Sequence, residues 1–172
     1  MCCASTRAIA FVLSTKVGRA LKPQDPRHID RGKWRNFLLA GRYTLLEQAA
    51  LDEFLPLCQA KNIGILLGGP YNSGILATGA IKSGYYDYQP APPEILERVR
   101  RIEKICDRHN VPLPAAALQF PLGHPSVSSI IPGAVKPSEV KQNIEFMSLD
   151  IPPNLWQELK EEGLLQPNAP PP

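Results

Sequence analysis

The stretch IGILLGGPYNSG, residues 63–74, decides the fold class of this chain. It opens with a continuous apolar run, which is typical of a strand covered on both faces, and Gly68 and Gly69 close that run. Similar runs lie on either side, FLLA at 37–40 and VSSIIPG at 127–133, with helical patterns between them. Such alternation implies parallel strands joined by right-handed crossovers. The sequence therefore predicts an α/β fold, either a doubly wound sheet or a (β/α)8 barrel.

The helices are predicted from apolar spacing and from proline positions. A helix beginning near Asp52 places Pro56 close to its first turn, where a missing backbone N–H is tolerated. The clearest helix covers 93–110, because apolar residues recur on one face at helical spacing. Residues 70–90 are predicted to form a long loop. Three shorter helices are predicted at 113–120, 138–146 and 155–159.

The chain divides into three parts. Residues 1–36 are predicted to hold a stray strand at 9–15, ending at Lys16, followed by an irregular loop. Residues 37–166 carry the alternating elements, and the proline-rich end, 167–172, is predicted to be disordered. A complete barrel needs about 250 residues, so a chain of 172 holds only part of one.

Composition excludes several classes of protein. The net charge is +3 with no basic stripe, which argues against nucleic-acid binding. No stretch has the roughly 20 apolar residues of a membrane span. The four cysteines lack zinc-ligand spacing, so we expect no metal, and Cys58 and Cys106 are predicted to be buried free thiols in a cytoplasmic protein.

Three segments at strand ends have functional character. The loop GGPYNSG, 68–74, either cradles a phosphate with its N–H groups or is an ordinary glycine-rich turn. The segment SIIPGAVKPSEVKQN, 129–143, starts a helix where parallel α/β folds place ligands, or is a normally capped helix with Ser138 as a candidate cap. In LSTKVG, 13–18, Lys16 is either a functional lysine or one that extends to solvent.

Taken together and in this order, the segments resemble the aldo-keto reductase superfamily, in particular its sugar-oxidising branch. FVLSTKVG at 11–18 resembles the third barrel strand, FLLAGRYTLLEQ at 37–48 the sixth and GILLGGPYNSGIL at 64–76 the seventh. Residues 92–143 resemble the seventh helix, the eighth strand and the cofactor loop. The resemblance implies a partial (β/α)8 barrel, NAD(P)-dependent hydride transfer, and an aldose or aldehyde substrate.

The same resemblance implies catalytic roles. Lys16 matches the family's catalytic lysine, which pairs with an aspartate and lowers the pKa of a tyrosine acid/base. The family's aspartate and tyrosine precede that strand and its histidine follows the fourth strand, and no segment of this chain matches those motifs. The chain is therefore expected to be an incomplete oxidoreductase, or else an inactive nucleotide-binding remnant or interaction module.

The resemblance also implies cofactor contacts. Tyr43 is the candidate for stacking on nicotinamide, and Gln142 and Asn143 match contacts to the adenine edge. The loop that wraps the pyrophosphate matches five residues: Gly69, Tyr71, Asn72, Ser73 and Gly74.

The implied cofactor is NAD, with NADP as the alternative. Gly133 and Ala134 stand where NADP-specific members often carry Lys and Ser, and Glu139 stands where they often carry Arg. Loss of cations and gain of a carboxylate disfavour a dianionic 2′-phosphate. Lys136 is the nearby cation that could reverse this preference.

Overall fold

The computed structural model describes residues 36–81 and 84–172. The strands are β1 (Asn36–Ala40), β2 (Gly64–Gly68), β3 (Tyr85–Tyr86), β4 (Gln89–Pro90) and β5 (Val127–Ile131). The helices are α1 (Phe54–Ala60), α2 (Ile75–Thr78), α3 (Pro93–Arg108), α4 (Leu113–Gln119), α5 (Pro137–Met147) and α6 (Pro153–Glu161). Short 3-10 turns cover Ala49–Leu51 and Phe120–Gly123. The predicted strand at 9–15 and Lys16 lie outside the described residues.

The main sheet has β2 in the middle, parallel to β1 on one side and to β5 on the other. Register pairs Leu38 with Leu66 and Leu66 with Ser129. The two faces differ, because Ile65 and Leu67 are fully buried in the core whereas Leu38 is 46% exposed. The helices therefore cover one face of the sheet, as expected for βα units that pack their crossovers on the same side.

The predicted elements agree with the structure within a few residues. Pro56 lies in the third position of α1, where it disrupts no earlier helical hydrogen bond. The apolar face of α3 is buried through Val99, Ile102 and Cys106. Cys58 and Cys106 are confirmed as buried free thiols, and burial raises the pKa of Cys58 to about 11.

The prediction of one long loop over 70–90 was wrong, because this stretch contains α2 and the β3–β4 hairpin. These elements are too short to show periodicity and are fixed by distant contacts. The Tyr86 hydroxyl donates to the Glu47 carboxylate, and Tyr88 N donates to Ser73 Oγ at 3.1 Å. Tertiary contacts, rather than local pattern, therefore determine their shape.

The prediction of a disordered end at 167–172 was also wrong, since the middle of this segment packs against the body. Ala169 is 1% exposed and belongs to the core. A Cβ added to Gly123 would lie 2.3 Å from the Pro170 carbonyl oxygen. The prolines therefore follow the surface of the 3-10 turn rather than forming a free tail.

No helix in the described ranges combines the length and apolar composition needed to cross a membrane.

Gly79 gives a stability prediction at the end of α2. Its φ is +81°, an added Cβ would lie 2.0 Å from Glu103 Oε1, and that carboxylate accepts the Ala80 N–H at 3.2 Å. Gly79→Ala is expected to lower the free energy of unfolding by about 2–3 kcal/mol. Alanine is strained at this positive φ, and its Cβ would displace the Glu103 carboxylate. Urea denaturation measures the change.

The matched control is Gly163→Ala. Gly163 has φ +67° but open space around its Cα, so only backbone strain is introduced there. We expect that variant to lose about 1 kcal/mol. Equal losses in the two variants would mean that the Glu103 contact contributes nothing.

Candidate functional site

The site is built at the carboxyl edge of the main sheet, where three loops leave parallel strands. Gly41 N donates to Gly68 O at 2.7 Å, and Gly69 N donates to Ile131 O at 3.3 Å. These bonds continue the ladder one residue beyond the strands. Gly41 and Gly69 have φ +62° and +64°, so both chains turn away from the sheet at the same level.

The loop after β2, residues 69–74, is the middle one of the three, and two adjacent side chains of this middle loop reach in opposite directions. Asn72 Oδ1 accepts from Thr44 Oγ1 at 2.5 Å, which ties this loop to the one after β1. The Tyr71 hydroxyl donates to Asn143 Oδ1 at 2.6 Å, which ties it to α5. The structure therefore brings the segments 69–74 and 133–143 together on one edge, as binding of a shared ligand requires.

The middle loop has an unusual backbone. Asn72, Ser73 and Gly74 all have positive φ, at 47°, 60° and 98°. Asn and Gly tolerate this region better than other residues, which explains their presence here. The Ser73 N–H has no acceptor among the described residues. Ser73 is exposed, so this N–H is a candidate donor to an anionic ligand.

The loop between β5 and α5 offers further donors. Gly133 and Ala134 are exposed, and within the described chain their N–H groups have no acceptor. The next two N–H groups, of Val135 and Lys136, are instead bound by Glu139 Oε2 at 2.7 and 3.4 Å. These backbone N–H groups hold the pKa of Glu139 below its usual range.

Glu139 caps α5, and Ser138 does not. Lys136 is the N-cap residue and Pro137 the first helical residue, so Ser138 lies inside the first turn. The sequence favours Pro137 at that position because a proline needs no N–H partner there. The Glu139 carboxylate is thus an anion of the chain itself, bound at the positive N-terminal end of α5.

Tyr43 lies in the core rather than on the ligand side. Its ring is fully buried against Phe120, with centroids 5.1 Å apart, and against His124 at 6.0 Å. In this arrangement neither face of the ring is open to a nicotinamide, contrary to the stacking role predicted for it. A tyrosine following a strand gives the same sequence signal whether it points to the core or to a ligand.

Tyr43→Phe tests that placement. The Tyr43 hydroxyl is buried without a partner among the described residues, and burial raises its pKa. Removing an unsatisfied buried hydroxyl is expected to leave stability unchanged or to raise it by about 1 kcal/mol. Thermal unfolding measures the change, and a clear loss of stability would show that the hydroxyl has a partner and is not enclosed as described.

The remaining predicted residues lie at α5. Asn143 is 7% exposed, whereas Gln142 is on the solvent side. Sequence reasoning missed Thr44, which accepts the N–H groups of Leu46 and Glu47 while donating to Asn72. A threonine three residues after a strand-ending Gly41 is a signal for such a turn. The described residues contain no cluster of potential metal ligands.

The chain is similar in sequence to known proteins. A family model described as the aldo/keto reductase family matches residues 21–162. Pyridoxal 4-dehydrogenase of Microbacterium luteolum is 46% identical over 128 residues, covering 74% of this chain and 37% of that protein. D-threo-aldose 1-dehydrogenase of a Pseudomonas species is 41% identical over 160 residues, covering 92% of this chain and 49% of that protein.

A solved structure supports the fold. The holo form of an aldo-keto reductase from Bacillus halodurans superposes with a TM-score of 0.60 at 18% identity, covering 78% of this chain and 44% of that one. The chain thus spans less than half the length of these relatives, and its fold is part of a (β/α)8 barrel. With 142 consecutive residues matched by the family model, from 21 to 162, this chain belongs to the aldo/keto reductase family.

Proposed function

We propose that the carboxyl edge of the sheet binds NAD and serves hydride transfer to or from an aldose or aldehyde. The observation that carries this proposal is the bond between Tyr71 and Asn143, because it holds the two predicted cofactor segments beside each other. The relatives support the choice of substrate class, since they are named pyridoxal 4-dehydrogenase and D-threo-aldose 1-dehydrogenase.

The residues present fit a dinucleotide. The Ser73 N–H group, which has no acceptor among the described residues, suits the pyrophosphate, with Gly69 and Gly74 allowing its close approach. Gly133 and Ala134 stand at the position of the 2′-phosphate in NADP-specific members, and neither residue offers a cation there. Gln142 and Asn143 suit the adenine, because side-chain amides pair with its edge. When bound, the nicotinamide supplies the hydride acceptor.

Charge at α5 favours NAD over NADP. Glu139 already takes the Val135 and Lys136 N–H groups, so these two donors are not free for a 2′-phosphate at this loop. A dianionic phosphate would have to displace this carboxylate against like-charge repulsion. The backbone N–H of Lys136 is committed to Glu139, so only its side-chain ammonium would offset part of that cost.

Catalysis depends on Lys16 in this proposal. A lysine beside the reacting oxygen stabilises negative charge and lowers the pKa of a neighbouring acid/base. The chain shows no match to the family's tyrosine and histidine motifs, which favours a second candidate function, NAD binding without turnover.

Titration separates the two candidates. Calorimetry with NAD and with NADP measures binding, and absorbance of NADH after adding L-fucose, D-arabinose or pyridoxal measures turnover. We expect NAD to bind more tightly than NADP. A turnover rate no higher than that of Lys16→Ala would leave the binding function alone, and no binding of either dinucleotide would overturn the proposal.

A further inference from the structure

The contact between Tyr71 and Asn143 joins two buried side chains from distant parts of the sequence. Tyr71 is 9% exposed and Asn143 is 7% exposed, and the hydroxyl lies 2.6 Å from Oδ1. Burial raises the pKa of Tyr71, so its hydroxyl keeps its proton at neutral pH. The hydroxyl therefore acts as a donor, and the amide oxygen of Asn143 as the acceptor.

This bond leaves the other end of the amide free. The Asn143 NH2 group has no acceptor among the described residues. In that part of the chain, Tyr43 Oη and Ser126 Oγ are the only side-chain polar atoms that are both buried from solvent and without a partner. The Asn143 NH2 group is not one of them and is therefore in contact with solvent. A flipped amide would turn its donor toward Tyr71 and leave the hydroxyl proton without its acceptor, which is unfavourable for a buried group.

An amide with a fixed orientation distinguishes purine bases. Adenine presents an acceptor, N7, beside a donor, its 6-amino group, and an asparagine pairs with both when NH2 faces N7 and Oδ1 faces the amino group. Oδ1 has two lone pairs, so it can accept from Tyr71 and from the amino group together. Hypoxanthine carries an oxygen in place of the amino group. That oxygen is an acceptor and would face Oδ1, which is also an acceptor, so the two would repel instead of forming a hydrogen bond.

We infer that Tyr71 is a positioning residue that holds the Asn143 amide in the orientation selecting adenine over 6-oxopurine dinucleotides. The inference rests on the proposed function, since it assigns the base preference of the same cofactor site. Tyr71 itself acts through Asn143 and through no contact of its hydroxyl with the base.

The test compares dissociation constants for NAD and for nicotinamide hypoxanthine dinucleotide, measured by calorimetry. The unmodified chain is expected to prefer NAD by about tenfold or more, in the range of one bidentate amide–base pair. In Tyr71→Phe the preference is expected to fall to about threefold or less, because the amide can then rotate. In Asn143→Ala the preference should disappear, and adding Tyr71→Phe should change nothing further.

Controls separate positioning from general packing. Tyr85→Phe removes the hydroxyl of a tyrosine that is 55% exposed and should leave the preference unchanged. Asn143→Asp keeps an acceptor toward Tyr71 and toward the 6-position of the base but lacks the NH2 group that faces N7, so it should bind both dinucleotides more weakly and keep the preference for NAD. A loss of the preference in Asn143→Asp would count against the assigned orientation even if Tyr71→Phe proves poorly folded in a thermal melt. An equal loss of affinity for both dinucleotides in Tyr71→Phe would overturn the inference, as would an unmodified chain that does not discriminate. Failure to bind either dinucleotide would instead overturn the proposed function, and the inference with it.

Discussion

Asn72→Ala is expected to lower the free energy of unfolding by about 2–4 kcal/mol, because two hydrogen bonds are lost and alanine is strained in the left-handed backbone region. Asn72 accepts from Thr44 and donates to Gly41 O at 3.5 Å, and its φ is +47°. Because the loop is then no longer tied to the one after β1, the affinity for NAD is expected to fall by at least about tenfold. Urea denaturation and calorimetric titration give the two quantities.

Asn72→Gly is the control for the backbone. Glycine accepts positive φ without strain, so this variant loses the side-chain bonds alone. We expect its stability to fall about 1–2 kcal/mol less than that of Asn72→Ala. If Asn72→Ala keeps both the stability and the NAD affinity of the unmodified chain, the link between the loops has no role in the site.

Glu139→Arg is expected to tighten NADP binding by about 10- to 100-fold, with a much smaller change for NAD. The substitution releases the Val135 and Lys136 N–H groups and adds a cation, and a charge-assisted contact to phosphate contributes about 1.5–3 kcal/mol. Calorimetric titration with both dinucleotides measures the ratio.

Glu145→Arg makes the same change of charge on the same helix. Glu145 is exposed and pairs with Lys141 at 4.0 Å, about two and a half turns along the helix from the Lys136 N–H group. We expect it to shift the NADP affinity by less than about threefold, because exposed charges at this distance are screened by salt. Equal shifts in the two variants would show that net charge, and not the position of Glu139, sets the preference.

The sequence predicts the regular parts of this fold well because their signals are local. The apolar run of β2 and the helical spacing of α3 each specify an element without reference to the rest of the chain. The β3–β4 hairpin escapes such reasoning, since Asp87 and Tyr88 adopt φ +49° and +63° without the glycine that usually marks such a turn. Contacts to Glu47 and Ser73 hold that turn, and those residues are far away in the sequence.

The candidate site shows the same division. Strand ends predict which loops meet, and Tyr71, Asn72 and Asn143 do meet at one edge. The direction of a side chain is a tertiary property, so the sequence pattern alone does not show that Tyr43 packs on Phe120. Thr44 was overlooked because its partner, Asn72, is 28 residues away in the sequence.

The position of β2 between two neighbours has a consequence for hydrogen exchange. A strand bonded on both sides exchanges its amide protons only through larger openings of the structure than a peripheral strand requires. Residues 69–74 continue directly from β2 and are anchored to Gly41 and Ile131 at its end. This loop should therefore keep its shape through local fluctuations that loosen the periphery of the sheet, so that a ligand meets donors already in place.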